Sequence, residues 1–354
     1  MKTKINNIYL ASVLGMVLFV ISSCNPAQPK GEPKSNKIEY SKDAVVPRYT
    51  DIKLGIYTPS GNKGLTADQC KEVLKKLSAL SSSKEVFELN TEMKSDDKIF
   101  YLNKKDPSTI ISFNTRNGDI NFNAGMAKYS KNIATPDLLK GDKITEKARD
   151  YIKRLEIPIV EEEMQVSHVG GVNMGTALDG KSEVFEKFTT VRFDRQLDKV
   201  PVLGRSRIVV QLAEAGILNS FVSQWIPLQK SESRMEDLVS PDSVKAVLEK
   251  AVLSENEGAT KIIIESMKLV YYDKGGEVIE PAIHVQGKTV HATKDAEGKT
   301  KEDTFPYDTV IPLLKSSRMK FPYDHSGLDK KADAGDNANN ATEIKKSEDE
   351  VDKR

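Results

Sequence analysis

The hydrophobic pattern of this chain changes period along its length, from helical spacing to strand alternation, and repeats that change three times. Thr66-Ala67-Asp68-Gln69 has the form of a capping box, and Val73, Leu74, Leu77 and Leu80 follow as a helical stripe. Short β-branched and aromatic runs come next, at 85–90, 98–103, 109–114 and 119–123. Asn117-Gly118 stands between the last two as a two-residue hairpin signal. A second helix is expected over 143–155, where Ile144, Ala148, Tyr151, Ile152 and Leu155 share a face. Strands are expected after it at 163–169, 184–195, 203–213 and 217–226. Ser240-Pro241-Asp242 opens a third helix carrying Val244, Val247, Leu248 and Val252. Runs at 261–273, 278–292 and 309–314 complete that round. The expected fold class is therefore α+β, built of repeated units of one helix packed on a short antiparallel sheet. The units span 51–135, 136–232 and 233–320.

The first residues read as an address. Lys2 and Lys4 precede a mostly apolar stretch from Ile8 to Ile21, shorter than the ~20 residues a spanning helix needs. It ends in Ile21-Ser22-Ser23-Cys24, which resembles the lipobox of bacterial lipoprotein signals. That resemblance implies cleavage of 1–23 and acylation (diacylglyceryl and palmitate) of the Cys24 thiol. The protein would then be extracytoplasmic and lipid-anchored in the bacterial cell membrane or outer membrane. Residues 24–50, rich in Pro, Gly and charge, read as a flexible tether, and the polar stretch 321–354 as a disordered tail.

With Cys24 taken by lipid, Cys70 has no partner for an intrachain disulfide. On its helical stripe it reads as a small core residue, so the fold must stand on packing. The chain holds 53 Lys and Arg, two of them Lys2 and Lys4, against 52 Asp and Glu. A nearly neutral mature chain lacks the basic footprint of a nucleic-acid partner.

The stretch Arg195-Gln196-Leu197-Asp198-Lys199-Val200-Pro201-Val202-Leu203-Gly204 leads into alternating Ile208–Leu212, then Gly216 and a strand ending in Trp225. It resembles the PepSY and thermolysin-propeptide type of domain, which is similar to a cystatin in packing one helix on an antiparallel sheet. The match extends at most over 140–320 and is closest over 188–226. It implies a non-catalytic extracytoplasmic module of the kind associated with peptidases as inhibitor or folding aid.

Other motifs carry less. Gly175 to Ser182 satisfies the G-x-x-x-x-G-K-[ST] expression, but no buried strand enters it and a β-like run leaves it, so no nucleotide site is expected. His168, His284, His291 and His325 form no H-E-x-x-H. The odd spacing of His284 and His291 puts them on opposite faces of one strand, against a shared metal. Glu161-Glu162-Glu163 and Asp96-Asp97 read as solvated acids beside turns. No G-x-S-x-G elbow occurs, and Asn340-Ala341-Thr342 carries no weight in a bacterial tail. Trp225, Tyr271 and Tyr272 are the candidates for an apolar binding surface, but core packing is the favoured reading of all three. The sequence thus points to a non-enzymatic module without cofactor, bound to the membrane by lipid and to a protein partner, as by strand addition at a sheet edge. An envelope hydrolase with a site assembled from distant residues, or a surface adhesin, stays open beside it.

Overall fold

The computed structural model describes residues 37–318, except 62–63, 82–86, 96, 107, 126–134, 179–180, 233–234, 276–277 and 295–296. The export segment with Cys24, the start of the tether, His325 and the tail 321–354 lie outside the described residues. Among the described residues, no helix is long and apolar enough to cross a membrane.

The three expected helices form where their stripes lie. In α1 (Ala67–Leu80) the Thr66 hydroxyl accepts from the Gln69 amide at 3.2 Å. The Gln69 side chain accepts from the Thr66 amide at 2.8 Å, completing the capping box. In α2 (Asp142–Arg154) Ile144, Ala148, Tyr151 and Ile152 are buried, and Lys153 and Arg154 complement the negative end of the helix dipole. In α3 (Pro241–Glu255) proline takes the first turn, and Val244, Leu248 and Val252 face inward. Val247 is left more than a third exposed.

The strands depart from the expected plan. They build a mixed sheet of 15 strands rather than three separate units of a helix on a short meander. One wing runs β3 (Phe87–Ser95), β4 (Lys98–Asn103), β5 (Ile110–Asn114), β6 (Ile120–Asn123), β11 (Leu218–Gln224), β10 (Arg207–Leu212), β8 (Lys181–Leu197) and β7 (Met164–Leu178). The other runs β12 (Leu228–Glu232), β2 (Gly55–Pro59), β14 (Ile279–Lys294) and β13 (Lys261–Asp273). There β1 (Lys37–Tyr40) lies beside β13 and β15 (Thr300–Pro312) beside β14. β9 (Val200–Gly204) joins the wings, antiparallel to β8 and parallel to β13.

The cystatin- and PepSY-like division fails at particular pairings. β6 and β11, expected in different units, lie side by side with Asn123 opposite Ser220. β2, an unexpected strand within the bounds of the first unit, pairs with β12 and β14. A short meander on its own leaves two open edges, and pairing those edges satisfies backbone groups that would otherwise be left open. Each wing has its own core. Helices α1 and α2 cover the first, with Phe113, Phe122, Phe193 and Phe221 at its centre. Helix α3 covers the second, with Tyr49, Tyr271 and Ile283. Tyr49 and strand β1 fall inside the stretch read as tether, so ordered chain begins by residue 37.

The residues of the PepSY-like motif form the joint between the wings. Asp198 and Lys199 both have positive φ, 50° and 64°, as a two-residue hairpin turn requires. Asp198 accepts from the Tyr271 hydroxyl at 2.6 Å and from Lys230 Nζ at 2.7 Å, holding the turn to β13 and β12. At Gly204 a Cβ would stand 2.0 Å from the Asp273 carbonyl oxygen, so only glycine lets β9 close on β13.

Arg195 lies beneath this joint, 1% exposed. Its Nε stands 3.0 Å from Glu163, and its Nη2 donates to the Ile226 carbonyl at 2.8 Å. Its Nη1 reaches the Ser206 hydroxyl at 3.4 Å, and that hydroxyl donates onward to Asp273. Burial lowers the guanidinium to about 10 against the pull of Glu163, so it is charged at neutral pH.

Replacing Arg195 with Ala strands the Glu163 carboxylate and empties the joint, at an expected cost of about 3 kcal/mol. Urea unfolding of the two proteins measures this, and a loss within experimental error would mean that the joint is held elsewhere. Cys70 lies fully buried in α1, and burial pushes its thiol up to about 11. A thiol reagent at pH 8 is expected to leave it unmodified in the native protein and to label it in urea.

Candidate binding site

The wing that carries α1 and α2 holds a cleft of about 440 Å3. Its walls come from the first turns of α1, the 155–158 turn after α2, the Asn117-Gly118 hairpin and the end of β11. Leu65, Val73, Ile120, Ile157 and Ile226 make it apolar, and Trp225 lines it. Trp225 is 4% exposed, and the Arg195 guanidinium stacks 4.0 Å from the centre of its ring. Its indole N–H is buried and meets no acceptor among the described residues, a cost that calls for an explanation. Charged residues stand at the rim: Glu72 and Lys76 on α1, and Glu156 opposite, with Lys76 Nζ 2.7 Å from the Glu156 carboxylate.

Glu156 is the unusual member. It follows Leu155, the C-cap of α2, with φ 55°, the left-handed position where glycine normally ends a helix. A non-glycine residue there costs roughly 1–2 kcal/mol. The glutamate carboxylate is 73% exposed, and such a pair returns only about 0–1 kcal/mol. At the middle of these ranges the ion pair does not fully offset the backbone strain.

A second surface lies at the edge of the same wing. Among the described residues β7 pairs only with β8, so its outer edge is open. The strands β1, β3, β12 and β15 are also edges, and each carries Lys, Glu or Asp, which discourages pairing with another chain. β7 has no Lys, Arg, Asp or Glu in its 15 residues. Val166 and Val169 are 40% and 43% exposed and stand in register with buried Phe193 and Val191. The apolar face of the sheet thus runs on beyond α2 to the edge. Helix α2 walls that face, with Arg149 5.2 Å over the Phe193 ring. A groove lined by Arg149, Lys153, Ile159 and Met164 continues beside it.

The other residues singled out in the sequence are dispersed. Tyr271 and Tyr272 are fully buried and pack in the second wing. Gly175 to Leu178 ends β7 and Lys181 begins β8, so a strand leaves the phosphate-loop-like segment, and no helix amides face it. His284 bonds Asp308 at 2.8 Å, whereas His291 stacks edge-on to Phe305, on the other face of β14. His168 stands opposite Arg192. Of the acids, Asp97 pairs with Arg116 and Glu161 with Arg149. Glu163 is not a simple solvated acid: burial raises its pKa and Arg195 opposes the shift. Asp96 and Cys24 lie outside the described residues. Among the described residues no three His, Cys, Asp or Glu side chains group as metal ligands would. Glu156 and Lys76 were invisible in sequence as a pair, because 80 positions of chain, with β3 to β6 and α2 between them, separate the two.

No protein-family model and no curated protein matches the chain. Among solved structures, an uncharacterized protein from Eubacterium rectale is similar at a TM-score of 0.46 and 13% identity. The alignment covers 82% of this chain and 89% of that one.

Glu156→Gly is expected to relieve the left-handed strain and to raise stability by about 1 kcal/mol, despite loss of the ion pair. Thermal and urea unfolding test this, and a destabilised variant would show that the ion pair outweighs the strain.

Proposed function

We propose that this chain is a lipid-anchored extracytoplasmic module, tethered through Cys24, that captures an extended segment of a partner protein as an added strand beside β7. The observation that carries the reading is the uncharged outer edge of β7 beside exposed Val166 and Val169. An added strand would draw affinity from main-chain hydrogen bonds along the edge. Its alternate side chains would meet Val166, Val169 and the wall of α2, giving preference for apolar residues at every second position. The expected lipid on Cys24 would hold this edge near the membrane, where two or more acyl chains make anchoring stable.

The test places a photo-crosslinking residue at Val169 and, as a control, at Phe305 on the charged β15 edge. Crosslinking to one discrete partner from position 169 and none from 305 is expected. The Val166→Lys, Val169→Lys double variant should weaken capture about tenfold with an unaltered thermal midpoint. Cys24→Ala should leave the protein unlipidated in a palmitate-labelling experiment and out of the membrane fraction. Equal crosslinking from both edges, or full capture by the double variant, would sink strand addition at β7. Lipid labelling of Cys24→Ala would sink the anchor.

A further inference from the structure

We infer that the Trp225 cleft is a separate ligand site, which takes a small apolar molecule bearing a positive charge. Its volume of about 440 Å3 lies in the range of small-molecule sites, and a mostly apolar lining with a few polar groups at one end is their usual character. The aromatic lining is held from behind: Arg195 stacks on the Trp225 ring, and its guanidinium is itself fixed by Glu163 and the Ile226 carbonyl. The apolar body of a ligand would lie against Trp225, Ile120 and Val73.

The sign of the ligand's charge follows from the rim. Glu72 and Glu156 supply two carboxylates against the one ammonium of Lys76, and Lys76 already stands 2.7 Å from Glu156. An ammonium entering this rim gains a carboxylate partner, whereas a carboxylate meets net negative charge. This site lies apart from the β7 edge and is independent of strand capture there.

Trp225 is the chain's one tryptophan, so its emission reports on the cleft directly. The full-length protein is titrated with 2-phenylethylamine, 2-phenylethanol and phenylacetate. The amine is expected to give a saturable change in emission, the alcohol a weaker one, and the carboxylate none. Glu72→Gln and Glu156→Gly should each weaken the amine about fivefold, the scale of one exposed charge contact. Unfolding midpoints separate this from damage to the fold, because Glu156→Gly is expected to be the more stable protein. Val73→Phe, which fills the cleft, should abolish the response. No saturable response to the amine, equal binding of amine and carboxylate, or unaltered amine binding in both charge variants would overturn the assignment.

Discussion

A single buried guanidinium ties the two wings of the sheet together. Arg195 gathers Glu163 from the turn before β7, the Ile226 carbonyl beyond β11 and Ser206 before β10. Through Ser206 it reaches Asp273 at the end of β13. A buried charge is tolerated only when it is paired, so each of these segments must arrive in place for the guanidinium to be accommodated. The joint is thus a point of specificity more than of net stability. Hydrophobic pairing alone would allow β9 to slide along β13, whereas the Arg195–Ser206–Asp273 chain admits one register.

The same group shapes the cleft. Arg195 covers one face of Trp225, so the ring that lines the ligand space is the ring that closes the joint. Packing at the seam and recognition in the cleft are consequently coupled, and a change on either side reaches the other through one aromatic ring. The β7 edge stands outside this coupling except at its start, where Glu163 leads directly into the strand. Capture at that edge would therefore draw on local backbone and on Val166 and Val169, with little demand on the joint.

The helices were legible because their signals are local. The Thr66–Gln69 box, the stripes of α2 and α3 and the proline at the head of α3 all act within a few residues. Many strands were legible as runs, though β1, β2 and β12 were not expected, and Asn117-Gly118 correctly marked the hairpin between β5 and β6. The partners of those strands were not. β6 beside β11, β2 beside β14 and β9 beside β13 join residues far apart in the chain, and nothing in an alternating run names its neighbour. The motif from Arg195 to Gly204 was visible, but its role differs from that of a turn inside a self-contained unit. It is the bridge between two wings.

For the candidate sites the division is similar. Sequence alone determined the helices, the hairpin, the burial of Cys70 in a helix stripe and the opposite facing of His284 and His291, all consequences of periodicity along one segment. It also singled out Trp225 and favoured core packing for its ring, as its burial bears out. Only the tertiary structure decided that Trp225 is a buried core residue that also lines a cleft, that Lys76 meets a left-handed Glu156 and that β7 ends a wing as an uncharged edge. Each of these depends on which distant segments pack together, and that choice is set by the sum of many long-range contacts.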